Sequence, residues 1–282
     1  MKILLAGGHS SLAQVLHPVL AAFAEVLTAG RSGCDVELDL AWPIEKFDIP
    51  TGVDVVVNTA AHFGGNTADV FLAAESVNTL GALKLCLAAQ EAEVRHVVHI
   101  SSTSACLDSR SAYYGIYALS KRQADEVVQL YCAAVVLACT VLRPSQLYGN
   151  QDAFRRHQPF LYGALDRVAH GEDVVIYGNR GALRNYLHAE DFSRMIAAVI
   201  RDRVEGVYQC TNPEDISLDA VAGSLIAASG SSSKVVFDRT KEDIPDNVFP
   251  YDDLLYRKTG VYPEIEIGVG VSRLVATRLG TS

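Results

Sequence analysis

The sequence predicts an α/β protein: a doubly wound parallel sheet over residues 1–150, then a smaller mixed α/β lobe over 151–282. Three observations carry this expectation. Through the first half, short β-branched runs alternate with longer helical patterns, the spacing of βαβ units. The run Val53-Asp-Val-Val-Val57 is nearly all apolar, as a strand covered on both faces must be. Beyond Arg143-Pro144 the elements shorten, and Gly, Pro and Asp punctuate more often.

In order, the candidate strands of the first half are Lys2–Ala6, Val26–Ala29, Val36–Leu38, Val53–Asn58, His96–Ser101 and Val135–Leu142. The candidate helices between them cover about Ser11–Ala22, Val70–Glu91 and Tyr114–Ala133. The second half reads as helix 154–169, strand Val174–Tyr177, helix 189–202, strand Val207–Gln209, helix 217–228, a short strand near 234–237, and helices near 251–259 and 268–279. Some crossing of the chain between the two lobes is expected.

The 282 residues are 49% hydrophobic and 20% charged, enough for a sizeable core and unlike a disordered or fibrous chain. The net charge of −9 repels phosphate backbones, and no run of five Lys/Arg exists, so nucleic acid is not an expected partner. Six cysteines, without a C-x-x-C pair and mostly in apolar stretches, read as buried reduced thiols in a cytoplasmic protein, with neither disulfides nor a metal site. No uninterrupted apolar stretch reaches the roughly 18 residues of a membrane span, and the first residues lack a signal-peptide pattern. No membrane partner is expected.

Ile3-Leu-Leu-Ala6 runs into Gly7-Gly-His-Ser-Ser-Leu-Ala13 and then a helix. This is the strand–loop–helix of a Rossmann-type dinucleotide fold, where small residues let backbone approach a pyrophosphate and the helix N-terminus faces it. Gly7 keeps the first glycine of a G-x-x-G-x-x-G spacing; Ser10 and Ala13 replace the others. Ser10 adds a side chain at the phosphate, with a hydroxyl able to donate to it. His9, Ser11 and Leu12 complete the candidate loop. The second strand leads into Gly30-Arg-Ser32, with no acid before Asp35. An acid there would read the ribose of NAD, whereas an Arg suits a 2′-phosphate, so Arg31 favours NADP, with NAD as the alternative. Asp39-Leu40, after the third strand, is a candidate contact for the adenine.

Tyr117 and Lys121 share one helix face at i and i+4. A nearby ammonium lowers a tyrosine pKa, which suits proton transfer to or from an alcohol or sugar oxygen; the Lys can also hold ribose hydroxyls. Upstream, a strand ends in His99-Ile-Ser-Ser-Thr-Ser104, offering a hydroxyl to the same oxygen.

Taken together, the residues resemble the extended short-chain dehydrogenase/reductase family, in its NAD-dependent epimerase/dehydratase branch. Val57-Asn-Thr-Ala-Ala61 resembles the Asn-Ala-Ala stretch beside the cofactor, and Val77-Asn-Thr-Leu-Gly81 the V-N-x-x-G helix motif. Ile100-Ser-Ser-Thr103 is similar to the catalytic Ser/Thr strand, Tyr117-x-x-x-Lys121 to the catalytic pair, and Leu142-Arg-Pro-Ser-Gln-Leu-Tyr-Gly149 to the segment linking cofactor and substrate lobes. Arg184-Asn-Tyr-Leu-His188-Ala-Glu-Asp191 resembles the R-D-Y-x-H-V-x-D segment of nucleotide-sugar enzymes.

The resemblance implies a smaller lobe that binds substrate, and a role for each position. Tyr117 would be the acid/base, Lys121 its tuner and ribose ligand, and Thr103 the catalytic hydroxyl, with Ser102 as fallback. Ala60, Ala61, Asn78, Ser101, Pro144 and Ser145 would border the cofactor. Arg184 would contact a nucleotide diphosphate, Gln146 the substrate, and His62 the sugar. The activity implied is 4-keto reduction of a nucleotide-activated sugar by NADPH; alternatives are a 4-epimerase with tightly held NAD, and a non-catalytic cofactor-binding member. Thr103 is followed by Ser104-Ala105 rather than the acid pair of a dehydratase. The late R-x-G-D signature is replaced by Lys241-Glu-Asp-Ile-Pro-Asp246. Family members dimerise through helices flanking the active site, and Val70–Ala89 and Ala124–Val136 are apolar enough for a homodimer.

Overall fold

The computed structural model describes residues 1–280. In chain order the elements are β1 (Lys2–Ala6), α1 (Ser11–Ala21), β2 (Glu25–Gly30), β3 (Val36–Glu37), β4 (Val55–Asn58), α2 (Ala68–Ala74), α3 (Gly81–Glu91), β5 (His96–Ile100), α4 (Ile116–Ala134), β6 (Ala138–Pro144), β7 (Gln146–Tyr148), α5 (Pro159–Ala169), β8 (Val174–Tyr177), β9 (Leu183–Arg184), β10 (Tyr186–His188), α6 (Ala189–Asp202), β11 (Gly206–Cys210), β12 (Ile216–Ser217), α7 (Leu218–Ser229), β13 (Val235–Asp238), α8 (Leu254–Thr259) and α9 (Ile267–Leu279).

The chain forms two compact units. The first comprises Met1–Pro144, Ser193–Cys210 and Asp252–Val261; the second takes Ser145–Phe192, Thr211–Tyr251 and the chain from Tyr262 onward. This differs from a single boundary at 150/151. The reason is strand pairing: β11 lies parallel to β6 from Gly206↔Thr140 to Cys210↔Pro144, covering an edge that would otherwise expose its backbone groups.

The first unit holds a seven-stranded sheet in the order β11-β6-β5-β4-β1-β2-β3, parallel throughout. Strand order reverses direction between β1 and β4, the switch point at whose carboxyl ends ligands bind in such sheets. β4 and β5 are buried along their whole length, which explains their unbroken apolar reading. In the second unit three two-stranded ladders form, β10-β7, β12-β9 and β13-β8, with Ile176, Ala182 and Leu218 in its core. The two-residue strands β9 and β12 are too short for a period-2 signal and are invisible in the sequence.

Several boundaries move for local reasons. The helix expected over 154–169 is a 3-10 turn, Asp152–His157, followed by α5 starting at Pro159. Proline lacks the N–H that would continue the first segment and disfavours helical backbone at Gln158. β6 starts at Ala138 because Val135 caps α4 and Val136 sits at φ +57°. Of the six thiols, Cys86, Cys132 and Cys210 are buried, Cys34 and Cys139 half-buried, and Cys106 exposed.

α2 and α3 join through a π-helical turn, Glu75–Leu80, giving a run from Ala68 to Glu91 long and apolar enough by composition to cross a membrane. In this unit it lies against α4 instead, with Asn78 and Thr79 bonded to Ser120. Gly81 permits its close approach to the chain after β3: a Cβ there would lie 2.6 Å from Leu40 Cβ and 2.9 Å from its carbonyl oxygen. Gly81→Ala should therefore cost about 1–3 kcal/mol by overpacking, measured by urea unfolding. Gly223→Ala, in α7 with open space around it, should instead stabilise by about 0.4–1 kcal/mol.

Candidate active site

The β1–α1 loop is built by backbone constraint. Gly7 sits at φ +82°, and a Cβ on it would stand 2.6 Å from Ala60 N, so only glycine fits. The N–H groups of Gly7 and Gly8 both donate to Ala29 O, fastening the loop to β2. Ser10 is the N-cap of α1: its Oγ accepts from Ala13 N at 3.1 Å and shares a 2.9 Å hydrogen bond with Thr59 Oγ1. The hydroxyl expected to reach a phosphate is thus turned inward, capping the helix. Ala13 is fully buried, so its methyl is absorbed at the helix–strand contact. Ser11 and Leu12, also buried, form the first turn of α1.

His9 Nε2 donates to Ser32 O at 2.6 Å, clasping this loop to the β2–β3 loop. Arg31 is exposed there. Asp35, the first acid after β2, accepts from both the N–H and the hydroxyl of Thr28, which hold its carboxyl below the usual range. The acid is therefore engaged with β2 itself. Asp39 Oδ1 caps Ala41 N at 2.9 Å, and Leu40 is buried against Gly81. Both residues expected at the adenine serve the local turn and core.

At the end of β4, Ala60 N donates to Asn58 Oδ1 at 3.1 Å, and Ala60 and Ala61 are half-exposed. His62 donates its N–H to Asn78 Oδ1, while its Nδ1 accepts from Gly64 N. Asn78 is 1% exposed. Its Nδ2 donates to His62 O and Ser120 Oγ, so it braces the loop to α4. Phe63, next in the loop, stacks on Tyr117 with centroids 5.3 Å apart at 15°.

Tyr117 and Lys121 lie one turn apart on α4, and Lys121 Nζ donates to Ile100 O at 2.8 Å. Lys121 is 1% exposed. Among the described residues this carbonyl is its one hydrogen-bond acceptor, leaving donor capacity in a dry site. Burial pulls Lys121 down to about 8, opposed by Asp125. The sequence expects Lys121 to lower the Tyr117 pKa; the structure reverses this. Burial pushes Tyr117 up to about 12 with a further push from Asp125, against a hydrogen bond from Ser102. The desolvation cost of a phenolate outweighs an ammonium that is turned to Ile100.

The hydroxyl beside Tyr117 is therefore that of Ser102, which also caps Ser104 N. Thr103, preferred from the sequence, is buried at the start of the 3-10 turn Thr103–Cys106. Arg122 fixes that turn by donating to the carbonyls of Ala105 and Leu107. Ser101 is buried, and its Oγ has no hydrogen-bond partner among the described residues. Phe63, Ser102, Asp125 and His99 complete the site. Asp125 was detectable as the i+4 neighbour of Lys121; Phe63 carries no periodic signal.

Pro144 closes β6. In the second unit, Ser145 Oγ and Gln146 Oε1 are buried without a partner among the described residues. Arg184 is buried, and its Nη1 donates to the carbonyls of Leu183 and Pro245. It thus braces the 245 segment.

In the first unit, a glycine turn that excludes any Cβ, a helix N-terminus and a buried ammonium with spare donors fit a nicotinamide dinucleotide. Comparison with known proteins agrees on the family. The sequence profile described as "NAD dependent epimerase/dehydratase family" matches residues 4–211. A Haloferax volcanii protein named low-salt glycan biosynthesis protein Agl12 is 26% identical over 253 residues, 83% of this chain and 78% of the relative. A Thermus thermophilus UDP-glucose 4-epimerase solved with NAD superposes with TM-score 0.77 at 19% identity, covering 100% of both chains. A Bacillus cereus UDP-glucuronic acid 4-epimerase, solved with UDP-glucuronic acid and NAD, gives TM-score 0.80 at 16% identity, also over 100% of both.

The Ser10 cap yields a stability prediction. Ser10→Ala should cost about 1 kcal/mol by denaturant unfolding, and Ser10→Gly only a few tenths.

Proposed function

The chain belongs to the NAD dependent epimerase/dehydratase family, and from that premise we propose that it reduces the 4-keto group of a nucleotide-activated sugar. The carrying observation is the placement of Tyr117: half-buried against the stacked Phe63 ring, it keeps its proton at neutral pH, beside the Ser102 hydroxyl and one turn from the Lys121 ammonium. That is the resting state of a proton donor.

A nicotinamide cofactor supplies the hydride when bound. The Gly7–Leu12 loop and the α1 N-terminus would hold its diphosphate, Ala60 and Ala61 would border it, and Lys121 would hold its ribose hydroxyls. Exposed Arg31 supports a 2′-phosphate and hence NADPH, because Asp35 is already bonded to Thr28. Tyr117 gives its proton to the sugar carbonyl oxygen. Ser102 donates to the phenolate that forms, Lys121 opposes its charge, and the Phe63 ring keeps water off the tyrosine face.

A second reading is 4-epimerisation with tightly held NAD. It is favoured by the solved structures named as UDP-sugar 4-epimerases with NAD, in which case Tyr117 first accepts the proton it later returns. The apolar residues Phe71, Leu72, Leu80 and Leu130, exposed on the α2–α3 run and α4, support a homodimer. Light scattering should then report twice the 30.4 kDa of one chain; the monomer mass alone would reject it.

Tyr117→Phe should lower kcat by about 10²–10⁴ while reduced-cofactor binding, read by nicotinamide fluorescence, persists. Arg31→Ala should weaken NADPH about tenfold, roughly 1.4 kcal/mol, and leave NADH unchanged. If NAD co-purifies and resists dialysis, the epimerase reading replaces the reductase. Lys121 is charged below its value of about 8 and neutral above it. Activity should therefore hold through neutral pH and fall as pH rises through about 8.

A further inference from the structure

Beneath the Tyr117–Lys121 pair lies a polar cluster that proton transfer to substrate does not use. Asp125 follows Lys121 by one turn of α4 and is completely buried. Its Oδ2 accepts from Arg143 Nε at 2.7 Å. Its Oδ1 faces His99 Nε2 at 4.0 Å and accepts no hydrogen bond among the described residues.

His99 has a fixed tautomer. Asn58 Oδ1 is held as an acceptor by Ala60 N–H, so Asn58 Nδ2 is the donor to His99 Nδ1 at 3.3 Å. The ring proton therefore sits on Nε2, toward Asp125. Burial and the nearby Lys121 hold His99 well below its usual range, so the ring is neutral. The cluster thus contains two cations, Lys121 and Arg143, and one anion between them. Without that anion, a buried ammonium would lose the one buried carboxylate a helical turn away, and the half-buried Arg143 its ion-pair partner.

The charges on the other packed elements are engaged elsewhere. In the π turn, Glu75 lies within hydrogen-bond reach of the Gln123 amide. On α3, the neighbouring Cys132 and burial push the free Cys86 thiol up. In the 3-10 turn, Cys106 Sγ lies 3.5 Å from Arg143 Nη1.

We propose that Asp125, anchored by Arg143 and faced by neutral His99, is the counter-ion that keeps Lys121 an ammonium. It is a positioning residue, and its link to catalysis rests on the reading of Lys121 given above. Asp125 acts on both members of the pair in one direction: it raises Lys121 and Tyr117 alike, so it holds both protons in place at rest.

The test reads the charge of Lys121 in the unliganded protein. The difference in unfolding stability between wild type and Lys121→Met is measured by urea from about pH 6 to 10. The folded-state value of Lys121, about 8, is depressed below that of the unfolded chain. The unfolded state therefore binds more protons above that pH, and wild type should gain stability relative to Lys121→Met as pH rises through about 8. In an Asp125→Asn background the onset of that gain should move at least about one pH unit lower. In an Asp125→Glu background, where charge is kept, it should stay near 8.

An onset left near 8 by Asp125→Asn overturns the proposal. If Asp125→Asn does not fold, Asp125→Ser, equally neutral and small enough to admit a water, replaces it under the same criterion. No ligand enters the measurement, so a failed cofactor titration and an unmoved onset are separate results.

Discussion

The burial of one ammonium organises the first unit. Lys121 is brought by α4 against the carboxyl end of β5, where Ile100 offers its carbonyl after the last strand residue has paired with β6. A lysine in that position is costly unless its surroundings are polar. The surroundings are accordingly polar: Asp125, Arg143, His99 and Ser101 all lie at the ends of β5 and β6 or on α4. The all-parallel sheet makes this arrangement possible, since it gathers the carboxyl ends of β1, β4, β5 and β6 on one edge.

The same burial decides the chemistry at Tyr117. A tyrosine one helical turn from a lysine invites the expectation of a lowered pKa, but the through-space help is smaller than the cost of desolvating a phenolate. The result is a tyrosine that holds its proton. Phe63 contributes by stacking on the ring, and Gly64 lets the loop approach α4 closely: a Cβ on it would stand 3.1 Å from Tyr117 Cβ.

Much of this was legible in the sequence because it rests on period and on backbone necessity. The unbroken apolar runs of β4 and β5, the glycine at position 7 and the i, i+4 spacing of Tyr117 and Lys121 are local signals with one structural meaning each. Other features depend on where side chains turn, which spacing does not encode. Ser10 has the composition of a phosphate contact but caps its own helix. Asn78 has the composition of a ligand contact but braces a loop. Arg184 is held by carbonyls at 183 and 245, a pairing across some sixty residues that no local pattern reveals. Ser102 and Thr103 are neighbours in sequence, yet Ser102 caps Ser104 N while Thr103 is buried at the start of a 3-10 turn.

The central claim is that a proton held on Tyr117 accompanies hydride delivered to a sugar carbon. It is tested most directly by presenting the protein with a nucleotide-4-ketosugar and NADPH carrying deuterium in both nicotinamide C4 positions, and analysing the sugar by mass spectrometry and NMR. The account predicts a product with one deuterium on the former carbonyl carbon and stoichiometric oxidation of the cofactor. A sugar recovered without deuterium would contradict it.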